Sequence, residues 1–205
     1  MSKKSRVQYS LDSGEIKQLN PVEIVVILRA ADEIISTGGR SILAKTLKGS
    51  KDKKVLEHKL DECPSYGYYK ELSIEEITKR IDWMIQKGYL RIEYSGRLPM
   101  LVFSDKGWEI EKNTFTTEIY YKFVDAVNTK DPSIVFQMKD VNRTVVFGVL
   151  DKIRESRDKS FLVLLEAWKM VEVRKVRERI DMVMKSLNAV GHGFTVIEGG
   201  KKTEN

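Results

Sequence analysis

Residues 73–103 constrain the fold more than any other stretch, because a helix with its own start and stop signals runs directly into two short strands joined by a tight turn. The start is Ser73. Its hydroxyl can accept from the backbone N–H of Glu76 while the Glu76 carboxylate reaches back to the N–H of Ser73, which is a capping box. Ile74, Ile77, Ile81, Met84 and Ile85 then recur at helical spacing and predict the buried stripe, leaving Thr78, Lys79, Asp82 and Gln86 on the other side. Gly88 supplies the left-handed residue that ends the helix. Beyond it Leu90, Ile92 and Tyr94 alternate with Arg91 and Glu93 as a strand, Ser95-Gly96-Arg97-Leu98-Pro99 turns the chain, and Met100–Phe103 returns. This order predicts a winged helix-turn-helix, a unit that most often presents a polar helix face and a basic wing to nucleic acid.

Upstream signals agree with one small domain over residues 20–113. Asn20-Pro21 reads as an N-cap and a first helical residue, followed by an apolar helix over Val22–Ile35 that Thr37-Gly38-Gly39 stops. Ser41–Leu47 predicts a second helix, closed by Lys48-Gly49-Ser50. Residues 51–62 predict another helical turn or two with Val55, Leu56 and Leu60 inward, and Cys63–Gly67 is irregular because Pro64 lacks a donor and Gly67 permits a turn. Ser104-Asp105-Lys106-Gly107 caps a short helix through Ile110. The polar residues 1–19 predict a flexible N-terminal arm.

Residues 114–190 predict a helical extension. Ile119, Tyr120, Phe123 and Val127 are at helical spacing within Glu118–Asn128, a second helix is expected from Ser133 to Arg157, and a third from Ser160 to Asn188. Residues 191–205 predict a polar tail, in which Phe194–Ile197 has the composition of a short edge strand. The fold class expected is therefore mainly α with a small β component: a winged helix-turn-helix domain and a C-terminal helical extension.

Several chemistries lack material. Cys63 is the single cysteine and His58 and His192 the only histidines, so neither a four-cysteine zinc site nor a histidine-based catalytic centre is supplied, and no cofactor or metal is expected. No apolar run is long enough to cross a bilayer or to follow Met1-Ser2-Lys3-Lys4-Ser5-Arg6 as a signal peptide, so a cytoplasmic location is expected. Thirty-six cationic against 30 anionic residues give a net charge of +6. Its distribution is more telling: Lys45, Lys48, Lys51, Lys53 and Lys54 crowd ten residues whose one acid is Asp52.

The run Gly39–Ser50, then Tyr66-Gly67, Gly88-Tyr89-Leu90 and Leu101-Val102-Phe103-Ser104-Asp105-Lys106-Gly107, resembles the RQC domain, the C-terminal winged helix of RecQ-type helicases. The resemblance covers residues 20–112. It implies a grip on duplex DNA through phosphates, with a wing that in several members parts the strands. This sequence departs from the family's setting in three respects. Gly39 with Ala44-Lys45-Thr46 is only a broken phosphate loop, and it follows a helix rather than a strand; the four-cysteine zinc module is missing; and the turn at Arg97-Leu98 is too short for a long aromatic-tipped hairpin. A winged helix without a helicase motor is the expectation.

The candidate DNA contacts are Lys45, Lys48, Lys51, Lys53, Lys54, Tyr66, Lys70, Ser73, Thr78, Lys79 and Arg97. Glu75, Glu76 and Asp82 would repel a backbone laid along the helix that begins at Ser73, which moves the expected contacts toward the preceding loop and the wing. Trp83, Trp108 and Trp168 read as packing residues, and the basic stretch Arg174, Lys175, Arg177 and Arg179 as intrahelical ion pairs with Glu172, Glu178 and Asp181. The expected function is non-enzymatic binding of duplex, fork or junction DNA. Two alternatives stay open: an adaptor for repair or replication proteins acting through the C-terminal helices, and a homodimeric transcription regulator.

Overall fold

A computed structural model describes residues 6–189. Met1–Ser5 of the arm and the expected tail over 191–205 lie outside the described residues. The chain divides into two compact units, Met1–Phe115 and Thr116–Asn205.

The first unit is a winged helix, and its helices begin where the capping residues put them. In α1 (Pro21–Asp32), the Asn20 side chain accepts from the Val22 N–H at 2.8 Å and Glu23 accepts from the Asn20 N–H at 3.1 Å. α2 (Arg40–Lys48) ends on Gly49, whose φ of 76° is left-handed. α3 (Lys53–Glu57) starts on the Asp52 side chain and is followed by a 3-10 turn at Leu60–Glu62. α4 (Ile74–Gln86) has both bonds of its capping box, Glu76 N–H to Ser73 Oγ at 3.2 Å and Ser73 N–H to Glu76 at 2.8 Å. Ile77, Ile81 and Met84 of α4 are fully buried with Leu28, Leu43 and Leu47, and each such side chain contributes roughly 1.5–3 kcal/mol relative to exposure.

The wing is the antiparallel pair β1 (Leu90–Ser95) and β2 (Leu98–Phe103), in register from Leu90↔Phe103 to Ser95↔Leu98. Gly96-Arg97 closes it, and Gly96, at φ 61°, takes the left-handed position that a side chain would resist. Two backbone bonds tie β2 to the α1–α2 connection, Ser36 N–H to Leu101 O at 2.9 Å and Leu101 N–H to Gly38 O at 2.8 Å. At the far end of the hairpin the Ser104 hydroxyl accepts from the Gly107 N–H at 3.0 Å and donates to the Gly88 carbonyl at 2.6 Å. This opens α5 (Asp105–Thr129) against the residues that close α4.

Four local expectations change. Leu56 and Ile74, assigned inward, are 44% and 41% exposed. Asp82, assigned to the polar face, is 2% exposed, because Arg40 covers it. Residues 6–19 form an ordered strap rather than a free arm, ending in the buried Leu19 and hydrogen-bonded along α4 and the wing. Finally, the helices expected at Ser104–Ile110 and Glu118–Asn128 are one, since nothing between them breaks α5.

The second unit holds the remainder of α5, with α6 (Ile134–Gln137), α7 (Arg143–Ser156), α8 (Leu162–Val171) and α9 (Arg174–Ala189). The helices expected over Ser133–Arg157 and Ser160–Asn188 are each broken. Asn142 caps the Thr144 N–H and starts α7 afresh; Glu172, extended at φ −100° and ψ 161°, binds Trp168 Nε1 and the Val173 N–H and separates α8 from α9. Phe123 and Trp168 pack at 4.7 Å between centroids in the core of this unit. Among the described residues no helix is long and apolar enough to cross a membrane.

Candidate nucleic-acid interface

α3 and β2 face each other across a groove of about 740 Å³. Gly38, Gly39 and Lys45 line it together with Asp52, Lys53, Lys54, Glu57 and His58 on the α3 side and Leu98–Met100 of β2. Gly39 makes the close approach possible: a Cβ there would stand 2.7 Å from the Pro99 carbonyl oxygen. It begins α2 without a side-chain cap, so the first N–H groups of α2 are not satisfied by a cap beside the wing.

The lysine loop is only partly neutralised. Lys45 pairs with Asp52 at 2.7 Å and Lys53 with Glu57 at 3.4 Å, the latter an exposed pair of the kind worth little. Lys51 and Lys54 are exposed and make no ion pair among the described residues. The Lys45 ammonium and the Lys54 backbone N–H hold the Asp52 carboxyl below the usual carboxylate range, so this acid stays charged inside a cationic cluster. At the wing tip, Arg97 is exposed; its carbonyl accepts the Val7 N–H, and its side chain makes no ion pair among the described residues.

The other expected contacts are more committed. The Lys48 ammonium donates to the Lys70 carbonyl, while the exposed Lys70 side chain has no ion pair among the described residues. The Tyr66 hydroxyl donates to Ser50 O at 3.2 Å, and its half-buried ring packs on the core. Tyr69 is buried with its hydroxyl on Glu23 at 2.8 Å, leaving Tyr68 as the exposed ring of that loop. Ser73 is occupied as the α4 cap. Thr78 returns its hydroxyl to Ile74 O at 2.8 Å, and Lys79 pairs with Glu75 at 2.7 Å. Of the tryptophans expected to pack, Trp83 and Trp168 are buried and Trp108 is half-buried against Phe103. In α9, Arg174 pairs with Glu178 as expected, but Arg179 reaches Asp151 of α7 instead.

The strap runs along the face of α4 that a base-reading helix would present. Asp12 N–H donates to Asp82 at 2.9 Å, Ser13 Oγ to Gln86 at 2.8 Å, and Trp83 Nε1 to Lys17 O at 3.3 Å. A Cβ added at Gly14 would stand 3.3 Å from the Lys79 side chain, so the strap passes close over that stem. Arg40 closes the arrangement by donating both to Ser10 O and to Asp82. Farther along, the Tyr94 hydroxyl donates to Val7 O at 2.8 Å and the Val7 N–H to Arg97 O at 3.1 Å. Thr78, Lys79 and Gln86 are therefore engaged within the protein, and the groove and wing carry the available charge. Sequence reasoning missed Arg40, Asp82 and the strap because no local periodicity marks an irregular segment held by contacts 30–87 residues away.

The sequence profile of the RQC domain matches residues 22–127. The ATP-dependent DNA helicase RecQ of Bacillus subtilis (strain 168) is 28% identical over 107 residues, covering 52% of this chain and 18% of the helicase. The chain thus matches less than a fifth of that relative's length. No solved structure matches the chain. The strap precedes the matched residues.

Proposed function

The chain belongs to the RQC domain family, and from that premise we propose that it is a non-enzymatic protein that grips duplex or structured DNA through backbone phosphates. One observation carries the reading: a groove between α3 and the wing collects Lys45, Lys53 and Lys54, with Lys51 and Arg97 beside it, while the strap covers the face of α4 that would read bases. Phosphate contacts position a protein without specifying sequence, so binding is expected to be nearly sequence-independent. A DNA partner of this kind fits a cytoplasmic, nucleoid-associated protein.

Fluorescence anisotropy with blunt duplex, fork, junction and single-strand probes at two salt concentrations tests the reading. Log affinity should fall with log salt by about 0.9 per phosphate contact on duplex DNA. Charge reversal at Lys51, Lys54 or Arg97 should weaken all duplex sequences alike, whereas Thr78→Ala and Lys79→Ala should leave binding unchanged. A flat salt response, or no binding in low salt, overturns it.

A second reading, an adaptor that docks a repair or replication protein, has its own support in the second unit. Val163 and Met170 of α8 are 82% and 85% exposed, flanking Ala167 at helical spacing. A partner retained after nuclease treatment, and released by Val163→Glu with Met170→Glu, would favour this reading over DNA binding.

A further inference from the structure

Resting on the DNA-binding reading, we propose that the strap is itself part of the nucleic-acid surface, with Arg6 and Arg97 forming a two-guanidinium phosphate clamp at the wing tip. The wing holds Val7 by both of its backbone polar groups: its N–H donates to Arg97 O at 3.1 Å, and its carbonyl accepts the Tyr94 hydroxyl at 2.8 Å. Arg6, one residue away, is carried to the same end of the hairpin as Arg97. Its guanidinium lies over the Tyr94 ring, 5.0 Å from the centroid. Tyr9 reinforces the placement, with its ring 6.1 Å from that of Tyr94 and the Arg40 guanidinium over it at 5.6 Å.

Stacking occupies the face of a guanidinium and leaves its edge donors free in the plane, the geometry that meets two phosphate oxygens. Neither Arg6 nor Arg97 has an ion pair among the described residues, and the nearby acid in sequence, Glu93, pairs with Arg91 at 3.5 Å. The Val7–Arg97 backbone bond brings two exposed, uncompensated arginines to the wing tip, where one anion can offset both charges. The ligand this selects is a phosphodiester, recognised by charge and shape rather than by base. The hairpin is too short to reach far by itself, and the strap adds a second cation to its tip.

The test measures log affinity against log salt for a duplex with the full chain and with Arg6→Ala, Arg6→Lys, Arg97→Ala and Lys54→Ala. Arg6→Ala and Arg97→Ala should each reduce the slope by about 0.9, making the loss of affinity between 50 and 200 mM salt about threefold smaller. Arg6→Lys should keep the slope, because the charge is retained. An unchanged slope in Arg6→Ala, with the expected drop in Lys54→Ala, overturns the clamp and leaves the DNA-binding reading standing. A flat response in the unaltered chain removes both. Thermal unfolding should be little changed in Arg6→Ala, since the side chain is exposed and the Val7 backbone bonds and the Tyr9–Tyr94 ring contact still anchor the strap there.

Discussion

Arg40 and Asp82 form an ion pair between α2 and α4 that the strap completes, for the same arginine donates to Ser10 O and the same carboxylate accepts the Asp12 N–H. The Asp82 side chain is 3% exposed and that of Arg40 is 22% exposed. Removing one partner leaves the other charge short of solvent. Asp82→Ala should therefore cost about 2–4 kcal/mol, somewhat below the range for a fully buried pair because water still reaches Arg40. Urea denaturation measures the loss, and hydrogen exchange at the Asp12 amide should accelerate beyond what global destabilisation explains.

Gly107 tolerates no side chain. A Cβ on it would come within 2.0 Å of the Tyr89 carbonyl oxygen and 3.0 Å of the carbonyl carbon, both backbone atoms of the residue just before β1. Gly107→Ala must push the first turn of α5 away from the residues that end α4, breaking the bonds Ser104 makes to both. A loss of at least about 1–3 kcal/mol is expected from the overpacking, read as a lower urea midpoint. At Gly148 a Cβ would come within 3.0 Å of both γ atoms of the buried, β-branched Thr116, so Gly148→Ala should also lower the urea midpoint, offset in part by the roughly 1 kcal/mol that Ala gains over Gly inside a helix.

The helices and wing were readable because each carried its own local signal. Ser73 with Glu76, Gly49, Gly88 and Gly96 fix ends and turns within a few residues of themselves, and the structure places all of them in those roles. The resemblance to the RQC domain rested on the same punctuation. What escaped depends on distance along the chain. Nothing local in Gln8–Lys17 predicts that Trp83, Asp82 and Gln86 will take its backbone and side-chain groups. Asp82 looked solvent-facing because helical spacing alone cannot see a covering arginine 42 residues earlier. The breaks at Val141-Asn142 and Glu172 were missed because the apolar periodicity resumes after them; only the capping chemistry of Asn142 and the link from Glu172 to Trp168 marks them.

Glu23 should make the first unit acid-sensitive. Burial alone would raise its pKa, but the Asn20 N–H, the Tyr69 hydroxyl and Arg80 together bring the carboxyl below its ordinary 4.5. The unfolded chain then takes up the proton first as pH falls. The stability that Glu23 contributes is thus fully present above about pH 4.5 and is lost as pH drops through its lower native value. Burial and the facing carboxylate push the Tyr69 hydroxyl up, so it remains a donor throughout this window. Glu23→Gln should lower the urea midpoint near neutral pH and differ progressively less from the unaltered protein on acidification. A constant difference from about pH 6 to about pH 3 would refute the linkage.

Asp52 gives the sharpest test of where DNA is gripped, because it neutralises Lys45 inside the groove proposed to hold phosphate. Its carboxylate takes the Lys45 ammonium at 2.7 Å with one oxygen and caps the Lys54 N–H at 3.0 Å with the other. Asn is as good an N-cap as Asp, so Asp52→Asn should keep α3 while removing the negative charge. With Lys45 released and the local repulsion gone, duplex binding should tighten, and the salt slope should steepen by up to about 0.9 if Lys45 takes a phosphate. Adding Lys45→Ala to Asp52→Asn should cancel the added slope. If Asp52→Asn instead leaves both affinity and slope unaltered while circular dichroism shows an intact fold, the phosphates do not enter the groove between α3 and β2, and the DNA surface must lie elsewhere.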